Sequence, residues 1–354
     1  MSMPNDMRLL RYVDAICEGT EQGMAADDRV FMMGLDVDDH KSIQGSTRGL
    51  LEKFGPQRVF TTPLSEDAMT GVAIGAAMAG RKPIHVHIRM DFLLLCMNQL
   101  VNIAAKSHYM YGGTVSVPLV IRTMIGKSWG QGAQHSQGLH AMFAHVPGLK
   151  VVAPSNAYDA KGLLLQALKD NNPVLIMEHR LLYGTEAYVP EQPYCVEFGK
   201  AKTMRSGKDI TIVGVSNMVM EAMRAAEILA EAGIDAEVID PVSISPLDSE
   251  TIEKSVARTG RLLVVDNGWL NCGISAEIVA RLSESPFIDF KPQVKRLGFA
   301  ATTCPTTPTL EAAFYPSPVT IATTVHQMLR PDVAWQPDEE RCKLAYQTQF
   351  KGPF

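Results

Sequence analysis

Short aliphatic and β-branched runs alternate with helical stretches along almost the whole chain, and this alternation restricts the fold more than any other feature. The runs 29–34 (RVFMMG), 83–88 (PIHVHI), 117–122 (VPLVIR), 149–153 and 174–178 read as strands. Helical periodicity fills 12–25, 92–110 and 157–169 between them, and a further helix opens near Ser65. A second series follows, with strands at 210–215, 235–240, 262–266 and 294–297, and a helix over 218–232 that Ser216 or Asn217 could cap and Gly233 would end. Strands that are apolar throughout and separated by helices require a parallel sheet covered on both faces. The chain is therefore α/β and built from two such series. The stretch between them is rich in Pro, Gly and Tyr and lacks periodicity, so residues 1–190 form one domain, 191–207 a linker and 208–330 a smaller second domain. From Pro331 to the end, 331–354, the polar, Pro-containing sequence reads as a flexible tail.

Composition narrows the function classes. Among 354 residues, 33 Lys and Arg face 38 Asp and Glu, giving a net charge of −5, so the chain lacks the basic face a nucleic-acid binder needs. No apolar run reaches the roughly 18–20 residues of a membrane span. The opening MSMPNDMRLLRYVD lacks the basic-then-apolar order of a signal peptide, and a cytoplasmic location is expected. Six widely spaced cysteines contain no CxxC pair, which gives neither a zinc ribbon nor a disulfide framework.

Two segments could carry chemistry. In TTPLSEDAMTGVAIGAAMAG (61–80) a strand ends at Pro63 and a helix of small residues opens with Glu66. A carboxylate there complements the positive helix end, and the glycines at 71, 75 and 80 admit another backbone closely. The spacing is not GxGxxG. In GKSWGQGAQHSQ (126–137) a polar, glycine-rich loop follows a strand and carries His135. Loops at the carboxyl ends of parallel strands are where α/β proteins place ligands. His85 and His87 share one strand face, but no acidic residue stands at metal-ligand spacing from them.

The runs TPLSEDAMTGVAIGAAMAG, DFLLLCMNQLVNIAAKSHYMYGG and GAQHSQGLHAMFAHVPGLKVVAPSNAYDAKGLLLQALKDNNPV, followed by LLYG, resemble the β subunit of the decarboxylating component of 2-oxo-acid dehydrogenases of the pyruvate, branched-chain and acetoin type. The resemblance extends from about residue 9 to about residue 329. AQHSQ followed by HVPGLKVV is its most specific part. It implies a transketolase-like pyrimidine-binding domain followed by a transketolase C-terminal-like domain, and thiamine diphosphate held between subunits of an α2β2 heterotetramer. The α subunit would supply the diphosphate and Mg²⁺ site through a GDG…N motif. This chain contains no GDG; Asp266-Asn267-Gly268 is the nearest sequence.

Residue by residue, the resemblance makes Glu66 the carboxylate that bonds the pyrimidine nitrogen, Phe92 the ring stacked on the pyrimidine, and His135 the active-site histidine near the substrate carboxylate and lipoyl acceptor. Leu119, Ala167, Asp170 and Asn172 would form a structural potassium site. The implied activity is oxidative decarboxylation of a 2-oxo acid with acyl transfer to lipoamide, with a lipoyl acyltransferase core as further partner. Five segments depart from the pattern: Gly34-Leu35-Asp36-Val37 lacks the first glutamate of Gly-Glu-Asp/Glu-Val, the loop 38–47 lacks the usual aromatic residue and most of the usual glycines, Val86 stands where a glutamate is common, TTCPTTPTLEAAFYP (302–316) replaces a valine- and proline-rich segment, and the tail beyond Leu329 is extra. They keep two other readings open: a ketoacid decarboxylase or carboligase subunit delivering to an aldehyde or sugar, and a non-catalytic scaffold subunit.

Overall fold

The computed structural model describes residues 7–39, 42–127 and 130–343. They group into two compact units, one of 7–125 with 142–198 and the other of 126–141 with 199–343. Among them, no helix is long and apolar enough to cross a membrane.

The first unit runs β1 (Met7–Arg11), α1 (Tyr12–Ala26), β2 (Val30–Gly34), α2 (Leu50–Phe54), β3 (Val59–Thr61), α3 (Glu66–Met78), β4 (Lys82–His87), α4 (Ala105–Met110) and β5 (Val120–Ile125). It resumes at Met142 within α5 (His140–Ala144), whose first two residues belong to the second unit, and continues through β6 (Lys150–Val152), α6 (Ala157–Ala167), β7 (Val174–His179) and β8 (Glu186–Pro190). The strands lie in the order β6–β7–β5–β4–β2–β3, with parallel pairing throughout. Helices α1 and α6 pack together. Every residue of β2, β5 and β7 is buried, which is why these strands lack polar alternation. Each fully buried Val, Leu or Ile in them contributes about 1.5–3 kcal/mol. Gly34 ends β2 where an added Cβ would stand 2.4 Å from the Val86 oxygen, so only glycine lets the strands approach this closely.

An ion pair with both side chains wholly buried lies inside this unit. Arg122 donates to both oxygens of Glu178 at 2.6 and 3.0 Å and to Ser46 Oγ at 2.9 Å, while Tyr183 donates to Glu178 at 2.5 Å. Arg122 and Glu178 are wholly buried, so their mutual bonds and those with Ser46 and Tyr183 offset the cost of burying the charges, while Arg122 Nη1 finds no hydrogen-bond partner among the described residues.

The second unit contains β9 (Lys202–Arg205), β10 (Ile210–Gly214), α7 (Met218–Glu231), β11 (Ala236–Asp240), β12 (Ser243–Ser245), α8 (Ser249–Thr259), β13 (Arg261–Trp269), α9 (Ile274–Ser283), β14 (Gln293–Phe299), α10 (Pro308–Phe314), α11 (Pro318–Leu329) and α12 (Glu339–Cys342). Its sheet has the order β14–β13–β10–β11–β9, parallel except for β9 at one edge. Its main core joins Met218, Ala222, Ala225 and Leu229 of α7 to Ile321 and Val325 of α11 and to β10, β11 and β13. Ser317 and Thr320 form a capping box that starts α11, and Pro318 occupies its first turn.

The structure corrects several expectations. Residues 92–110 do not form one α-helix: Met90–Cys96 is 3₁₀, Asn98–Ala104 is π, and only Ala105–Met110 is α. The expected strand 117–122 begins at Val120, since Pro118 has no N–H to donate to a ladder. The expected linker 191–207 contains β9, which completes the second sheet, and β8 just before it pairs antiparallel with β1. Neither Ser216 nor Asn217 caps α7 through its side chain; the Asn217 oxygen accepts from Asn267 at 2.7 Å instead. The expected tail 331–354 is packed as far as Lys343: Trp335 stacks on His326 with centroids 4.6 Å apart, Arg341 pairs with Glu231, and Cys342 is buried. Residues 344–354 lie outside the described residues.

Candidate active site

In parallel α/β units the carboxyl ends of the strands are where loops gather polar groups. β3 leads through Thr62-Pro63-Leu64-Ser65 into α3, whose first residue is Glu66. Ser65 makes no side-chain cap, so Glu66 and Asp67 supply the negative charge that the helix start favours. Asp67 turns its carboxylate onto the Ala68 N–H at 2.7 Å. Glu66 is half-buried, and its carboxylate makes no hydrogen bond or ion pair with any described residue. The buried face of α3 is Thr70, Ala73, Ile74 and Ala77. Its outer face carries Gly71, Val72, Gly75 and Met78, and at both glycines an added Cβ would meet nothing within 4 Å. Packing inside this chain therefore does not require those two glycines.

Phe92 lies on the 3₁₀ segment after β4 and leaves 36% of its surface exposed, a large share for an apolar ring. That segment packs on α3, and the Thr70 hydroxyl donates to Cys96 Sγ at 3.2 Å. Burial pushes the Cys96 thiol up to about 11, and the Glu66 charge adds to the shift. Glu66 and Phe92 thus sit on two packed helical segments of the first unit. The end of β2 is tied to the same region, since Asp36 N–H donates to Thr61 Oγ1 at 2.9 Å and Thr62 N–H to Gly34 O at 3.0 Å. Leu35 is half-buried there, and Asp36 is exposed with φ of 53°.

His85 and His87 lie on one face of β4, both buried, with centroids 4.2 Å apart. Burial pushes His85 down to about 4; burial and then His85 hold His87 well below the ordinary histidine value. Both rings are therefore neutral at physiological pH. Among the described residues no group of three His, Cys, Asp or Glu could hold a metal.

His135 is half-buried in the segment after β5, its N–H donating to Gly132 O at 3.4 Å, and it belongs to the second unit. Leu119 O accepts from Val174 N–H at 2.9 Å, and Val117 N–H donates to Asn171 O at 3.0 Å, which sets Leu119 against the turn before β7. In that turn Ala167 O accepts from Asp170 N–H at 3.1 Å, and Asp170 Oδ1 accepts from Asn172 N–H at 2.9 Å. Lys150 holds the Asp170 carboxylate at 2.9 Å. Sequence reasoning missed the fully buried bond from His140 to Asp266, 2.8 Å long, because 126 residues separate the partners.

Comparison with known proteins agrees with this architecture. Residues 10–186 match the transketolase pyrimidine-binding domain and residues 199–321 the transketolase C-terminal domain. The chain is 43% identical over 326 residues to the β subunit of acetoin:2,6-dichlorophenolindophenol oxidoreductase from Cupriavidus necator, covering 89% of this chain and 96% of that one. It is 44% identical over 307 residues to the mitochondrial pyruvate dehydrogenase E1 component subunit β-1 of Arabidopsis thaliana, covering 86% and 85%. Over 281 residues it is 42% identical to the corresponding human subunit, covering 78% of each. A split-gene transketolase described as an inactive β4 tetramer superposes with a TM-score of 0.75 at 22% identity, covering 89% of this chain and 97% of that one, a likeness of fold.

Proposed function

This chain belongs to the family of β subunits of the thiamine-diphosphate-dependent 2-oxo-acid dehydrogenases, and on that premise we propose that it forms the decarboxylating component together with an α subunit. The observation that carries the reading is the half-buried Glu66 carboxylate at the opening of α3, unpaired among the described residues, with the exposed ring of Phe92 on the segment packed against that helix. A carboxylate and an aromatic face fit the two needs of a pyrimidine ring, a hydrogen bond at a ring nitrogen and a stacking surface. Thiamine diphosphate, when bound, supplies the electron sink for decarboxylation. Glu66 would hold a proton at the ring nitrogen, as a general acid–base group in a cleft does. Phe92 would orient the ring, and His135 would bind the substrate carboxylate or move a proton beside it.

The chain carries no GDG motif, and among the described residues there is no acidic cluster for a divalent metal. The diphosphate and its magnesium therefore fall to the α subunit, in an α2β2 assembly that passes its acyl group to a lipoyl acyltransferase core. Leu119, Ala167, Asp170 and Asn172 suit a structural potassium ion: the carbonyls of Leu119 and Ala167 each keep one free lone pair, while Lys150 already balances the Asp170 charge. That balance favours a monovalent ion over a divalent one.

Leu35, in place of a carboxylate at the end of β2, supports the second reading, delivery to an aldehyde. One experiment separates the two. The chain is reconstituted with an α subunit carrying GDG…N, and a 2-oxo acid is supplied with lipoyl domain, with an aldehyde, or with 2,6-dichlorophenolindophenol. Dye reduction and lipoyl acylation support the dehydrogenase; carboligation alone supports the alternative; no turnover with any acceptor refutes both.

A further inference from the structure

The 126–141 segment carries His135 and is bound tightly to the second unit at its far end. An added Cβ at Gly138 would fall 1.6 Å from the Asn267 oxygen, so the segment and the end of β13 meet backbone to backbone. Two residues on, His140 opens α5 with its side chain wholly buried, and its Nε2 lies 2.8 Å from Asp266 Oδ1 on β13. An ionised carboxylate only accepts, so Nε2 carries the proton and donates. A bond from a ring N–H to a buried carboxylate is of the strong, charge-assisted kind. Among the described residues no other hydrogen bond holds these two side chains: His140 Nδ1 and Asp266 Oδ2 are both buried without a partner there. Near the other end of the segment the Lys127 ammonium lies over the Tyr315 ring, 5.3 Å from its centroid. His135 thus sits between these two contacts with the same unit, five residues from the His140–Asp266 bond.

A pair serving stability alone gains little from this arrangement, since two well-packed apolar side chains usually do as well as a buried polar pair. What apolar packing does not supply is a fixed direction. We propose that His140 and Asp266 are positioning residues that set the His135 loop for the reaction. The proposal rests on the reading of His135 as an active-site group.

The test uses the reconstituted α/β enzyme and the dye-reduction assay. Replacing both residues, His140→Leu with Asp266→Leu, removes the bond without leaving a buried charge. The double variant is expected to keep its unfolding midpoint and its cofactor KM, while kcat falls about ten- to a hundredfold, as misplacement of a reacting group by about 1 Å does. His140→Gln, whose amide N–H reaches the same oxygen, is expected to restore kcat to within about threefold. If the leucine pair does not fold, His140→Asn, whose amide is too short to reach, replaces it and is judged by the same outcomes. A bond-free variant with wild-type kcat overturns the positioning role, provided that His135→Ala is inactive. A fully active His135→Ala overturns the reading of His135 itself, which is a separate result.

Discussion

Removing the Glu66 carboxylate separates chemistry from folding more cleanly than any other change in this chain. The side chain is half-buried and touches no described partner by hydrogen bond or ion pair, so Glu66→Ala breaks no internal bond. The stability cost is limited to the favourable charge at the helix start, about 0.3–1 kcal/mol, and the better helix propensity of alanine offsets part of it. Loss of a proton-transfer group costs about 100-fold or more in rate, which corresponds to about 2.7 kcal/mol in the barrier. We therefore expect an unfolding midpoint close to wild type together with kcat at or below about one hundredth. The assay is steady-state turnover of the reconstituted α/β pair, with denaturant unfolding of the same preparations alongside. Turnover within about threefold of wild type would refute the role of Glu66. So would an activity loss that merely follows a loss of folded protein, because the effect would then be structural.

Arg122→Met leaves Glu178 buried without its cation and is expected to lower stability by about 3–5 kcal/mol, read from the urea midpoint. His85 is held down to about 4 by burial, below its unfolded value of 6.5, so the unfolded chain binds more protons between those two pH values. Stability should therefore be complete above pH 6.5 and fall as pH drops towards 4, by on the order of 3 kcal/mol from this group; His85→Phe should flatten that slope in unfolding curves recorded across the range. At Gly75 an added Cβ would meet no neighbouring atom within 4 Å, so Gly75→Leu should leave the isolated subunit as stable or better, by up to about 1 kcal/mol. If the bare face of α3 receives the α subunit, calorimetric titration with that subunit should then show lost binding; undiminished affinity would mean that the face lies outside the interface.

Much of the first unit was legible because a fully buried strand advertises itself: VFMMG in β2 and VLIMEH in β7 leave little alternative to a central parallel strand. Helix α3 was legible through its small residues and its opening carboxylate. The 3₁₀ and π turns after β4 were not, because Leu93, Cys96, Leu100 and Ala104 bury one face at spacings that an α-helix would also allow. Strands β8 and β9 hid in Pro- and Tyr-rich surroundings, and each sits at the edge of its sheet, where sequence patterning is weakest. Trp335 gave no sign of docking, since a lone tryptophan in polar sequence says nothing of the His326 ring that receives it. The readings of Glu66, Phe92 and His135 rest on family likeness more than on spacing, whereas the His140–Asp266 contact needed coordinates.

The chain enters the second unit at Gly126, leaves it after Ala141 and returns only at Gly199. No single scission can therefore divide this polypeptide into two whole halves. A fragment beginning at residue 199 would lack the sixteen-residue insert that fills part of its own surface, and the complementary fragment would carry that insert with nowhere to seat it. Anyone wishing to produce the halves separately would need to transplant the insert, or to express both fragments together and let them reassemble.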